Sequence, residues 1–262
     1  MPPSTRRVAL PVWGGERTVD LPVPGGRGTL LAVLPAARKM TLEMMRLSEQ
    51  RELREGRKVS CKAGCGSCCR QLVPISSVEA KSLANVVERM PRPKREAIKR
   101  KFDAALAKLE EAGLLFAAGD GPRTSLVSQV DDSESDAWAD VSKRYFALEI
   151  ACPFLEKESC GIYEDRPLIC REYLVTSDPS HCRSIDGNAR AVPRPAFPSR
   201  ALAHAAEVLD GIPSSSIPLV LALEWAEWMG GELGADHAGD EVLDAFLDGL
   251  VWGEELDENA DP

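Results

Sequence analysis

All eight cysteines of this chain lie between residues 61 and 182, and they fall into two clumps. The first reads Cys61-Lys-Ala-Gly-Cys65-Gly-Ser-Cys68-Cys69. The second holds Cys152-Pro-Phe-Leu, Cys160-Gly-Ile-Tyr and Arg166-Pro-Leu-Ile-Cys170-Arg, and Cys182 closes the set. Scattered core cysteines do not cluster in this way. Thiolates that hold a metal do, because one ion needs several sulfurs within a few ångströms. A fold that uses both clumps must close a loop of roughly 80 residues between them.

Composition narrows the field further. Of the 262 residues, 44% are hydrophobic and 28% charged, which suits a globular chain able to build one sizeable core or two small ones. Such a chain needs no disulfide framework. The net charge of −9 argues against a nucleic-acid partner, since phosphate binding wants a basic face. The basic run Pro91 to Lys101 reads as a solvated helix face. Pro11 and the Gly14-Gly15 pair interrupt the apolar residues near the start, so no signal peptide is expected. No stretch of about 18 apolar residues marks a membrane span. The expected compartment is a reducing cytoplasm, where structural disulfides are rare, and eight cysteines there point to metal.

The pattern along the chain is mainly helical. Val8, Leu10 and Val12 alternate, as do Val19, Leu21 and Val23, which predicts an N-terminal β-hairpin ended by Gly25-Gly26. Helical spacing runs from about Ala36 to Glu55, with Gly56 as a stop. Ser76-Ser-Val-Glu79 offers a capping box for a helix carrying Leu83, Val86, Val87 and Met90. A longer helix is expected to about Leu115, with Ile98, Phe102, Ala105, Leu106 and Leu109 on one face. Residues 117–134 read as a polar loop, 137–148 as a helix. Asp165-Arg-Pro167 reads as a helix start with Asp165 as cap, which places Cys170 about one turn in. Pro179, Pro193, Pro195 and Pro198 predict extended loop. Helical patterns follow at 200–210, 216–229 and 239–251, and the acidic tail from Glu254 is expected to fray. The expected architecture is mainly α: an irregular helical metal-nucleated domain with an N-terminal β-hairpin and C-terminal helices. Its divisions are 1–35, 36–190 and 191–262.

The candidate ligands are Cys61, Cys65, Cys68, Cys69, Cys152, Cys160, Cys170 and Cys182. Cys65-x-x-Cys68 in a turn lets two sulfurs converge on one ion, with Gly66 relieving the backbone. Neighbouring side chains diverge, so Cys68 and Cys69 either serve different metals or divide into one ligand and one packing residue. Four thiolates around a divalent ion leave a charge of −2, which needs compensation when buried. Arg70 and Arg171 each follow a cysteine directly, and Arg166 precedes Pro167; all three are candidates to hydrogen-bond sulfur. Tetrahedral thiolate sites suit zinc and iron–sulfur clusters alike. The chain has three histidines, His181, His204 and His237, too few for a site built on imidazoles, although His181 beside Cys182 is able to replace a thiolate. A vicinal Cys68–Cys69 disulfide is a redox alternative that leaves six thiols unexplained.

These residues together resemble a known family. The run Cys65-Gly-Ser-Cys68-Cys69, then Cys-Pro-Phe-Leu, Cys-x-Ile-Tyr-x-x-Arg-Pro-x-x-Cys-Arg and a trailing cysteine, is similar to the CxxCxxCC family of bacterial cysteine-cluster proteins. The likeness spans roughly residues 58–184. It implies chelation of zinc or iron. The chain departs from the pattern at one point, where three residues instead of two separate Cys61 from Cys65. A flagellin lysine methylase has a similar cysteine pattern and uses an iron–sulfur cluster, which suggests a 4Fe-4S alternative, but no G-x-G-x-x-G nucleotide fingerprint accompanies it here.

Other features carry less. Tyr163 and Tyr173 flank Cys170 and are expected to pack over the metal loops. Trp225 and Trp228 read as a core face of their helix. The acidic run Asp131, Asp132, Glu134 and Asp136 lacks the EF-hand spacing. Two functions therefore stand: a metal-binding protein whose site is structural or chelating, and an iron–sulfur-dependent redox or protein-modifying enzyme. A closed site favours the first, an open one the second.

Overall fold

Trp13 and Gly14 both take positive φ, 47° and 71°. That is the backbone of a two-residue type I′ turn, whose twist matches the strands it joins. It connects β1 (Thr5–Val12) to β2 (Gly15–Pro22) in an antiparallel hairpin with Val8 opposite Val19. The period of two puts Leu10, Val12, Val19 and Leu21 on one buried face. A computed structural model describes residues 4–116, 124–125, 135–185, 187–212, 217–229 and 234–250 of the chain.

Helices dominate the rest. They are α1 (Leu34–Arg54), α2 (Ser77–Glu88), α3 (Arg92–Glu111), α4 (Ser135–Ala147), α5 (Leu168–Glu172), α6 (Pro198–Asp210), α7 (Ala222–Trp228) and α8 (Gly239–Asp248). Of the described residues 53% are helical, and among them no sheet exceeds two strands, so the architecture is mainly α as expected. The remaining strands are two-residue pairs: β3 (Arg27–Gly28), β4 (Pro74–Ile75), β5 (Leu115–Phe116), β6 (Thr124–Ser125), β7 (Leu155–Glu156), β8 (Ser159–Cys160), β9 (Ile217–Pro218) and β10 (His237–Ala238). β3 pairs with β10 and β4 with β9, β5 with β6 and β7 with β8.

Local signals account for most helix ends. Ser76 and Glu79 form both halves of a capping box at the start of α2. Gly56, with φ 75°, follows α1 in the left-handed conformation that glycine adopts without cost. α3 ends earlier than its apolar spacing predicts, because Gly113 takes φ 65° and Leu115–Phe116 leaves the helix to pair as β5. Asp165 does not cap α5. Pro167 forces Arg166 into an extended conformation, φ −58° and ψ 146°, so Asp165 closes a separate 3-10 turn, Tyr163–Asp165. Its carboxylate pairs with Arg38 at 3.2 Å. Of the expected loop 117–134, residues 124–125 form β6. The other residues of that loop, including Asp131, Asp132 and Glu134, lie outside the described residues, as does the tail from Glu254.

Two hydrophobic clusters fill the interior. The first gathers the hairpin face with Met40 and Met44 of α1, Leu202 and Ala205 of α6, and Val242 and Phe246 of α8. The second gathers Leu83 and Val87 of α2, Ile98, Phe102 and Leu109 of α3, and Val220 and Leu221 before α7. Phe102 meets Phe154 edge to face, with centroids 5.5 Å apart, an arrangement that suits the ring quadrupoles. Trp225 packs against both clusters, while Trp228 is 49% exposed; the expected core face of α7 holds for one tryptophan and not the other. The cysteine segments run along the seam. Leu168 of α5 belongs to the first cluster, and Ile162, Cys152 and Cys160 sit in or against the second.

Candidate metal centre

The loop carrying Cys61 to Cys69 is held by backbone bonds from two sides. Ser60 N–H donates to the Val175 carbonyl at 2.9 Å, and Cys152 N–H to the Cys69 carbonyl at 2.7 Å. The first bond ties the loop to the segment after α5, the second to the start of the second clump. Within the loop, Cys65 N–H donates to Lys62 and Cys69 N–H to Gly66, both at 3.1 Å, two tight turns that set the Cys-x-x-Cys backbone. Gly66 lies beneath the β7–β8 hairpin. A Cβ there would stand 2.7 Å from the Glu158 carbonyl oxygen and 2.6 Å from Leu155 Cδ1, closer than real contacts allow, so only glycine lets the hairpin cross the loop. Arg70 and Arg183 both pair with Glu158 at the hairpin tip, at 2.7 and 2.5 Å.

These ties place five of the eight cysteines around one cavity of about 240 Å³: Cys61, Cys65, Cys68, Cys170 and Cys182. They come from the first clump, from α5 and from the 3-10 turn Pro179–Arg183. Cys69, Cys152 and Cys160 are not on the cavity wall. Cys152 and Cys160 pack against the second hydrophobic cluster. Among the described residues no three His, Cys, Asp or Glu side chains are gathered closely enough to ligate one ion; the thiols line a shared space without converging on a point in it.

Electrostatics divide the thiols into two sets that meet at Cys68. Cys61 and Cys182 are each raised in pKa by burial and then by the charges of Cys68 and Cys65. Cys152, Cys160 and Cys170 are each raised by burial and by the charge of Cys68. Cys182 reaches about 11 and Cys152 about 12. Cys68 is raised by its hydrogen bond with Cys69 and by burial. Mutual repulsion of this kind arises only between groups brought close together. Arg166 opposes it, lowering Cys61, Cys68 and Cys160.

In donor chemistry, though not in present geometry, the set suits a thiolate-bound zinc or iron: it is all sulfur and it comes from distant segments, and the Arg166 guanidinium acts on Cys61 and Cys68 of the wall and on Cys160 off it. Of the arginines expected to serve the sulfurs, Arg70 instead forms a fork with Glu158, and Arg171 donates to the carbonyls of Arg166 and Glu164 at 3.1 and 2.5 Å. Arg166 stacks over Tyr163 at 4.1 Å and lines the cavity with both tyrosines. Cys61 Sγ accepts the Val175 N–H at 3.3 Å, so the extra residue before Cys65 does not remove Cys61 from the wall.

Two contributors were not expected. The far wall is α1, through Arg38, Thr41, Leu42, Met45 and Glu49; Leu42 is 49% exposed. The other is Glu79. Its Oε2 completes the α2 cap, and its Oε1 accepts the Leu168 N–H at 2.6 Å, serving the helix end that Asp165 leaves open. A cap two helices away is invisible to local spacing.

Comparison with curated proteins gives no match, and comparison with solved structures gives none. Among the described residues no helix is long and apolar enough to cross a membrane. Residues 60–183, between the N-terminal hairpin and the C-terminal helices, match the family model CxxCxxCC, described as "Putative zinc- or iron-chelating domain".

Proposed function

We propose that this chain is a metal-binding cysteine-cluster protein, holding zinc or iron on thiolates drawn from both clumps. The observation that supports this most is the shared cavity. Five thiols separated by up to 121 residues of sequence line one space, which neither packing nor disulfide formation requires. Cys61, Cys65, Cys68, Cys170 and Cys182 are the ligand candidates facing that space. Cys69, Cys152 and Cys160, off that wall, are the remaining candidates for a further ion. A bound ion would supply a cross-link between segments and, where a position stays open, Lewis acidity or electron transfer. The remaining work falls to the chain: Gly66 admits the hairpin, Glu79 fixes α5, and Arg166 offsets thiolate charge. Free thiols in this number belong to a reducing compartment such as the cytoplasm.

A second reading, an iron–sulfur-dependent redox or protein-modifying enzyme, is favoured by one feature. A closed four-thiolate zinc site leaves little free space, and about 240 Å³ beside these thiols is room for a polynuclear centre or an exchangeable ligand.

Elemental analysis and a visible spectrum of protein purified without oxygen test both readings. Zinc without colour supports a structural or chelating centre. Iron with sulfide and broad absorbance near roughly 400 nm supports the cluster. Less than half an equivalent of either metal per chain, after reconstitution with each, rejects the proposal.

A further inference from the structure

We propose that the thiol cavity also binds a small oxyanion, a carboxylate- or phosphate-bearing molecule, through Arg166 and Lys62. This deepens the metal-centre reading and rests on it, since the oxyanion occupies the part of the same cavity that an ion leaves open.

Four cationic side chains line the cavity: Arg38, Lys62, Arg166 and Arg171. Two of them are committed. Arg38 pairs with Asp165 at 3.2 Å, and Arg171 spends its donors on the carbonyls at 166 and 164. Neither Arg166 nor Lys62 forms an ion pair with a described carboxylate. Arg166 Nε is buried and makes no hydrogen bond, which is costly for a charged donor unless something completes it. The guanidinium is also held in place. Its face rests on Tyr163 at 4.1 Å, its carbonyl takes the Arg171 Nε–H, and Pro167 fixes the backbone beyond it. A rigid guanidinium on a cavity wall, without an ion pair to a described carboxylate, is the arrangement that recognises planar or tetrahedral oxyanions.

The bland alternative is that Arg166 only offsets the thiolates. Sulfur is a weak acceptor, however, and a guanidinium offers five donors, more than an adjacent sulfur or two can use. The shape of the cavity also fits a ligand with a body. Leu42, Met45 and Leu174 supply an apolar flank, and Thr41, Tyr163 and Tyr173 supply hydroxyls. At about 240 Å³ the space is below the usual range for drug-sized ligands, so it suits a small metabolite-sized acid and excludes a folded peptide segment.

The test is calorimetric titration of the full-length, metal-loaded protein at low ionic strength, with inorganic phosphate in one arm and succinate in the other. Metal content is measured on every sample. Saturable one-to-one binding in either arm, weakened about tenfold or more in Arg166→Gln with metal content retained, supports the site, and the responding arm names the oxyanion class. Absence of saturable binding in both arms on fully loaded protein overturns it. So does an Arg166→Gln variant that binds the anion as well as the parent. If Arg166→Gln and Arg166→Lys both lose metal together with binding, the guanidinium serves the thiolates and the proposal falls. A parent chain that holds no metal defeats the metal reading separately, and its own titration still reports whether the anion binds.

Discussion

Glu79 and Leu168 are joined by a 2.6 Å hydrogen bond across 89 residues of sequence. Through it, one buried carboxylate holds the N-termini of both α2 and α5, and α5 carries Cys170. A carboxylate has two acceptor oxygens, and each serves a different helix. Glutamine keeps one acceptor and turns the other into a donor facing an N–H. Glu79→Gln should therefore destabilise the protein by about 1–3 kcal/mol and lower metal occupancy with it, read by chemical denaturation and metal analysis. A change in stability with occupancy untouched would uncouple α5 from the centre.

Gly66 makes a sharper prediction. A methyl group there meets the Glu158 carbonyl, which is backbone and cannot rotate away. Gly66→Ala should cost about 1–3 kcal/mol, and the hairpin 155–160 should exchange its amides faster. Alanine at Gly25, which has nothing within 4 Å of its Cβ position, is the control and should change stability little.

Cys65→Ser and Cys170→Ser remove thiols that reach the cavity from different segments. Each is expected to lower metal content and melting temperature together. Unchanged stoichiometry in both variants would rule out a shared ion. Cys69→Ser, off the wall, should spare the ion in the cavity.

The raised thiols set a pH signature with opposite signs in the two forms. In the metal-free protein, Cys152 and Cys182 keep their protons up to about 12 and about 11, above the ordinary 9.0. The native state then binds more protons than the unfolded state above pH 9, so stability is fully present below that value and falls as pH climbs through 11 to 12. In the metal-loaded protein the ligating thiolates are already ionised. The unfolded state binds more protons below pH 9, and stability should rise from pH 7 to 9. Melting curves of the two forms check this: the metal-loaded form should gain stability from pH 7 to 9 where the metal-free form stays level, and the metal-free form should lose it above pH 9. Parallel curves would mean that the thiols do not ligate.

The sequence carried the helices well where the signal was local. The Ser76–Glu79 box, the Gly56 stop and the alternation of Leu10, Val12, Val19 and Leu21 each depend on a few neighbouring residues, and each appears where expected. The errors come from tertiary choices. Asp165 had the chemistry of a cap, but Pro167 fixed Arg166 in an extended conformation and Glu79 arrived from another helix. The cysteine clumps suggested metal through their spacing, while the division between wall cysteines and those off the wall depends on how α5 and the β7–β8 hairpin dock, which no periodicity encodes.

The seam between the two hydrophobic clusters has a consequence for how the protein is made. Cys182 emerges from the ribosome long after Cys61, and α6 and α8, which close the first cluster around α1, come later still. Closing so long a loop is entropically unfavourable until those contacts form. The nascent chain therefore exposes a Cys-x-x-Cys loop well before it owns a complete set of ligands. On the proposed metal centre, delivery of metal to the finished site would be a late event, and an early-bound ion would have to be handed from a partial set of thiols to the full one as the second half of the chain folds down.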